Sequence, residues 1–143
     1  MAIWNRLIAK FGIDKLNRHE WEWREGKNWV PHYTYQPVLS ITDVWKEWTE
    51  GLNGYLSVRQ LNEEWGAKWR RNAPPVKVEN TRRKRIVDLM NSLGTKQGWN
   101  PSLVQKFLTE HYGKAYTAHT FSDYLSKAEN KKAVMEAAKK VFS

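Results

Sequence analysis

Apolar side chains recur along most of this chain at intervals of three and four residues, the spacing that lines one face of an α-helix. In "IWNRLIAKFGIDKLNR", Ile3, Leu7, Ile8 and Phe11 share such a face until Gly12 breaks it, which predicts a short amphipathic N-terminal helix. "HEWEWREGKNW" is ambiguous, because alternating Trp21 and Trp23 suit an extended chain while its Glu and Arg content suits a helix. Strand-like alternation follows in "WVPHYTYQPVL", residues 29 to 39, but Pro31 and Pro37 reduce it to an extended connector.

From residue 40 the helical signals sharpen. Ser40 or Thr42 can cap a helix carrying Val44, Trp45, Trp48 and Leu52, which Gly51 with Asn53-Gly54 brings to an end. Ser57 with Gln60 forms a capping box for a second helix with Val58, Leu61 and Trp65 on its stripe, and Gly66 fits the left-handed position after its last turn. Pro74-Pro75 cannot continue a helix, so a third is expected to start near Thr81, carry Ile86, Val87, Leu89, Met90 and Leu93, and stop at Gly94. Asn100 as cap with Pro101 behind it opens a fourth, closed by Gly113. "TAHTFSDYLSKA" and the Ala-rich, cationic "NKKAVMEAAKKVF" supply a fifth and a sixth. The expected fold is all-α: a compact helical bundle with a helix-turn-helix or Myb-like trihelical unit over residues 40–94. An N-terminal helix and extended Trp-rich segment (1–39) precede it, and a C-terminal helical extension (95–143) packs on it.

Composition narrows the class. With 41% hydrophobic and 27% charged residues in 143, the chain has the make-up of a folded domain. Nine tryptophans supply large areas for burial, and the i, i+3 and i, i+4 spacing of Trp45, Trp48, Trp65 and Trp69 favours core packing over base stacking, with Trp69 beside Arg70-Arg71 the exception. Cysteine is absent, which excludes thiolate metal sites and disulfides and suits a reducing, intracellular setting. No stretch is long and apolar enough to span a bilayer, so no membrane partner is expected. His19, His32, His111 and His119 have no metal-ligand spacing, and no phosphate loop, nucleophile elbow or carboxylate pair appears. Neither enzyme, metal nor cofactor is expected.

Charge is unevenly distributed along the chain. Residues 1–66 hold eight Lys/Arg against nine Asp/Glu, so the whole net charge of +9 comes from residues 67–143. Within the latter, Lys68, Arg70, Arg71, Lys77, Arg82, Arg83, Lys84 and Arg85 face the single acid Glu79 between residues 68 and 85. Such clustering favours a polyanion. In a helix starting near Thr81, Arg82 and Arg83 would oppose the macrodipole at its N-terminus, a placement that phosphate would compensate. The expected partner is double-stranded DNA, with Arg82, Arg83 and Arg85 toward bases and Lys68, Arg70, Arg71, Lys77 and Lys84 toward phosphates. Arg70-Arg71, a ten-residue spacer and Arg82 to Arg85 also fit a bipartite nuclear import signal. The alternative to DNA binding is a helical module that docks a protein partner or forms a homodimer, through its Trp-rich first half or its C-terminal helices.

"ITDVWKEWTEGLNGYLSVRQLNEEWGAKWR" followed by "TRRKRIVDLM" resembles the C-terminal DNA-binding domain of fungal activators of glycolytic genes, a family that includes osmotic-stress and filamentous-growth regulators. The matching positions are Trp45, Glu47, Trp48, Gly51, Ser57, Leu61, Trp65, Gly66, Trp69, Arg70, Arg82, Arg83 and Lys84. The resemblance covers about residues 40–93 and implies a small helical domain of a nuclear transcription regulator that binds duplex DNA sequence-specifically. An aromatic residue expected just ahead of "RRK" is replaced here by "VENT".

Overall fold

The computed structural model describes residues 2–24, 26, 28–36, 40–70, 74–97 and 99–142. The fold is mainly helical rather than all-α. Helices α1 (Ala2–Phe11) and α2 (Ile13–Arg18) come first, then a two-stranded antiparallel ribbon of β1 (Glu20–Arg24) and β2 (Asn28–His32). They are followed by α3 (Ile41–Thr49), α4 (Val58–Trp65), α5 (Pro74–Gln97), α6 (Pro101–Tyr112), α7 (Ala118–Leu125) and α8 (Ala128–Phe142).

The ribbon settles the ambiguous Trp-rich stretch. Trp23 sits opposite Trp29, and Trp21 opposite Pro31, so aromatic cross-strand packing outweighs the helical content of the intervening charges. Pro31 is compatible because a two-stranded ribbon gives each strand an outer edge where a missing N–H costs no ladder bond.

Two compact units divide the chain: residues 1–36 with 46–76, and residues 37–45 with 77–143. The first is built around Leu7, Leu16, Val30, Tyr33, Leu56, Val58, Leu61 and Trp69, with Trp4, Trp21, Trp48 and Trp65 packed against them. His19 is a polar tie within it. Its Nδ1 donates to the His32 carbonyl at 3.0 Å, and its Nε2 accepts the Leu56 amide at 3.0 Å, which fixes the neutral tautomer. Burial pushes its pKa down. Buried Glu47 accepts the Tyr33 hydroxyl at 2.6 Å and the Gln36 amide at 3.2 Å.

The second unit buries Ile86, Val87, Leu89, Met90 and Leu93 of α5, Val104, Phe107 and Leu108 of α6, Phe121 and Leu125 of α7, and Val134 and Ala138 of α8. The expected caps form. Ser57 and Gln60 make the reciprocal capping box, Asn100 accepts from the Leu103 amide, and Ser40 accepts from the Asp43 amide. Gly66 has φ +62 and ψ −129, a backbone region open to glycine but not the left-handed helical one expected.

α5 begins at Pro74, not near Thr81, and runs through Gly94 to Gln97. Prolines in the first turn lose no helical hydrogen bond, because the N–H groups there have no acceptor within the helix. Arg82 to Arg85 therefore lie in the body of a 24-residue helix, and the N-terminal macrodipole gives no account of them.

Candidate nucleic-acid interface

α5 extends for about 36 Å at the usual rise per residue. Its buried residues Ile86, Val87, Met90 and Leu93 recur at helical spacing, and continuing that stripe one turn back reaches Arg83. Arg83 is accordingly buried, only 7% exposed, and bonded to Glu79. Glu79 also accepts from Arg82 at 3.2 Å. An acid three and four residues ahead of two arginines is the favourable helical order for ion pairs.

The opposite face carries Lys77, Thr81, Lys84, Asp88 and Asn91, all exposed, with Arg85 partly exposed on its flank and Arg82, also partly exposed, further round toward α7. No described carboxylate pairs with Lys77, Lys84 or Arg85. Asp88 marks where the basic stretch ends. Beside this face lies an open cavity of about 330 Å³ lined by Lys77, Val78, Thr81, Arg82, Arg85 and Asp123, the last contributed by α7. Ser122, fully buried on α7, donates to the Arg82 carbonyl at 2.8 Å and holds α7 to the middle of the basic segment.

The remaining predicted residues belong to the first unit. Lys68 is exposed and helps line a cavity of about 370 Å³ with Arg6, Leu7, Trp29, Val30, Glu64 and Trp65. Arg6 and Lys10 both bind Glu64, and the hydrogen bond from Arg6 holds that carboxyl below its ordinary value. Trp69 has no exposed surface, and its indole donates to Asn62 Oδ1 at 2.9 Å. It is enclosed in the core, with the Arg70 guanidinium 5.9 Å from its ring centre. Arg71 lies outside the described residues. Two acids neighbour the basic run, Glu79 within it and Asp123 on α7. Glu79 was legible from its spacing to Arg82 and Arg83, whereas Asp123 is brought close only by packing.

Residues 34–112, more than half of the chain, match the family described as transcriptional activator of glycolytic enzymes. The chain belongs to this family. It is 33% identical over 92 residues to the high-osmolarity-induced transcription protein 1 of Kluyveromyces lactis, an alignment covering 64% of this chain and 12% of that protein. It is 35% identical over 69 residues to the protein MSN1 of Saccharomyces cerevisiae, covering 48% of this chain and 18% of the relative. The alignments thus span under a fifth of either relative's length. No solved structure matches significantly.

Set beside this glycolytic-activator family, most of the matching tryptophan motif is scaffold. Trp45 and Leu61 are buried, Glu47 receives Tyr33, Ser57 caps α4, and Trp65 donates to the Trp29 carbonyl at 3.1 Å. Gly51 has φ +92, and a side chain there would place its first carbon 2.1 Å from the Tyr55 carbonyl oxygen. No helix among the described residues is long and apolar enough to cross a membrane.

Proposed function

We propose that this chain is a sequence-specific, double-stranded DNA-binding module of a fungal transcription regulator acting in the nucleus. The exposed face of α5 is the element that enters the major groove. Arg82 and Arg85 meet base edges, where the arginine fork suits guanine O6 and N7, and Lys77 and Lys84 meet phosphates. Lys68 and Arg70, in the first unit, contact phosphates of their own. Arg83 supports the α5 surface from beneath without touching DNA, and Trp69, enclosed in the core of the first unit, makes no DNA contact either. In this reading α3, α4 and α5 work as a helix-turn-helix or Myb-like trihelical unit, and residues 95–143 brace its recognition helix, as the bond from Ser122 to the Arg82 carbonyl favours.

The observation that carries the reading is the exposed Lys77 and Lys84 and the partly exposed Arg85, which no described carboxylate pairs. They stand on a helix whose far side is anchored in a core, so positive charge is offered on a rigid rod. Family membership supplies the prior. The test is selection of bound sites from a random duplex library, followed by titration of the enriched site and a scrambled duplex. A preference of at least about a thousandfold is expected for a specific regulator. Equal affinity for both duplexes would reduce the module to a nonspecific polyanion binder, and no binding of either would favour a protein-docking role.

A further inference from the structure

Arg82 stands between two carboxylates. Its Nη1 is 3.2 Å from Glu79 Oε1, and its Nε is 3.9 Å from Asp123 Oδ1. On the other side of Asp123, His119 Nε2 lies 3.6 Å from Oδ2 one turn earlier on α7. Asp123 keeps a side chain 55% exposed, at the mouth of the cavity formed with Lys77, Val78, Thr81, Arg82 and Arg85. A carboxylate in the middle of a cationic surface weakens attraction for a polyanion, so its presence there needs another account.

We propose that Asp123 is a specificity-determining residue of the α5 surface, acting by repelling phosphate from the cavity around Arg82 while admitting a base edge. The inference rests on the DNA-binding reading above and deepens it. With Glu79 and Asp123 on either side, the Arg82 charge is already offset, and a phosphate gains less from it than from Lys84 or Arg85. A neutral acceptor on a base edge has no such penalty, and the Asp123 carboxylate can itself accept from the exocyclic amine of cytosine. Nonspecific binding comes almost entirely from phosphate attraction, so a fixed negative charge lowers it more than it lowers binding to the correct sequence. Asp123 lies on α7, beyond the 34–112 span that matches the family. The device therefore belongs to the extension of this chain and not to the shared tryptophan scaffold.

The experiment is Asp123→Asn in the full chain, titrated against the selected duplex and a scrambled duplex of equal length over a range of salt. Exposure and near-identical shape keep the fold intact, which thermal unfolding checks. Affinity for the scrambled duplex should rise roughly three- to tenfold, as expected for removal of one like charge a few ångströms from a phosphate. Affinity for the selected duplex should move less than about twofold on the same argument, and the salt dependence of scrambled binding should steepen by about 0.9, one additional phosphate. Glu110→Gln, which removes an exposed acid of α6 that does not line this cavity, should leave the ratio between duplexes unchanged. An equal rise for both duplexes, or no change in either, overturns the role of Asp123 while leaving the DNA-binding reading standing. Failure of the unaltered chain to bind any duplex removes both.

Discussion

The hydroxyl of Ser122 donates to the main-chain carbonyl of Arg82 at 2.8 Å, joining α7 to α5 in the middle of the basic segment. Ser122 itself has no exposed surface, so its hydroxyl depends on this bond. Ser122→Ala should lower stability by about 0.5–1.5 kcal/mol, and Ser122→Val, which also adds volume, by about 1–3 kcal/mol. Urea denaturation of the two variants measures both. A valine variant as stable as the parent would mean that this contact does not pack as described.

Arg83 and Lys84 are adjacent in sequence but should fail in different assays. Arg83→Ala removes a buried guanidinium and its bond to Glu79, which remains partly exposed, so a loss of about 1–2 kcal/mol of stability is expected. Lys84→Ala should leave the unfolding midpoint in place, weaken all duplexes alike and reduce the salt slope by about 0.9. With the four phosphate-facing cations Lys68, Arg70, Lys77 and Lys84 engaged, the parent slope should be about −4. A salt-independent affinity would exclude phosphate contact as the source of binding.

Gly51 separates two kinds of glycine. Its φ of +92 and the 2.1 Å approach to the Tyr55 carbonyl leave an alanine no place, and backbone rather than a flexible side chain is the obstacle. Gly51→Ala should cost more than about 2 kcal/mol. Gly66, at φ +62 and ψ −129, has open space around it, so Gly66→Ala should cost about 1–3 kcal/mol from the backbone conformation alone, without the clash that Gly51→Ala adds. Paired denaturation curves give the comparison.

Stability should fall on mild acidification. His19 has a pKa below its ordinary 6.5 because burial disfavours its charged form, and protonated Nε2 could no longer accept the Leu56 amide. As pH drops from about 6.5 toward the folded value, the unfolded chain takes up a proton that the folded chain refuses. Stability is thus full above that window, declines through it and levels off beneath it. Glu64, whose carboxyl is held low by Arg6, adds a loss at pH values below its ordinary 4.5. Denaturation at a series of pH values should show the first decline in the parent and lose it in His19→Ala.

The span matching the family should not fold alone. A fragment of residues 34–112 lacks Leu7, Leu16 and Val30 from the first core, and Phe121, Leu125, Val134 and Ala138 from the second unit. Each large aliphatic or aromatic side chain in that set contributes about 1.5–3 kcal/mol by burial, so the deficit exceeds the margin of an ordinary domain. A cooperative thermal transition in the fragment would contradict this division of the core.

Local chemistry determined much of this protein. Helical spacing and caps placed α1, α4, α6, α7 and α8, because a Ser57–Gln60 box or an Asn100–Pro101 start satisfies backbone groups within a few residues, and the charge count located the cationic segment. Even the burial of Arg83 could be read from its alignment with Ile86, Val87 and Met90. The β1–β2 ribbon is a local pairing, Arg24 opposite Asn28, that the mixed Trp, Glu and Arg content leaves open, whereas the enclosure of Trp69 came from tertiary packing, since it depends on Tyr33 and Tyr35 far away in the chain. The neighbourhood of Arg82 is of the same kind. Asp123 and Ser122 reach it across some forty residues, a relation fixed by which helix faces share a core and invisible to any periodicity along the sequence.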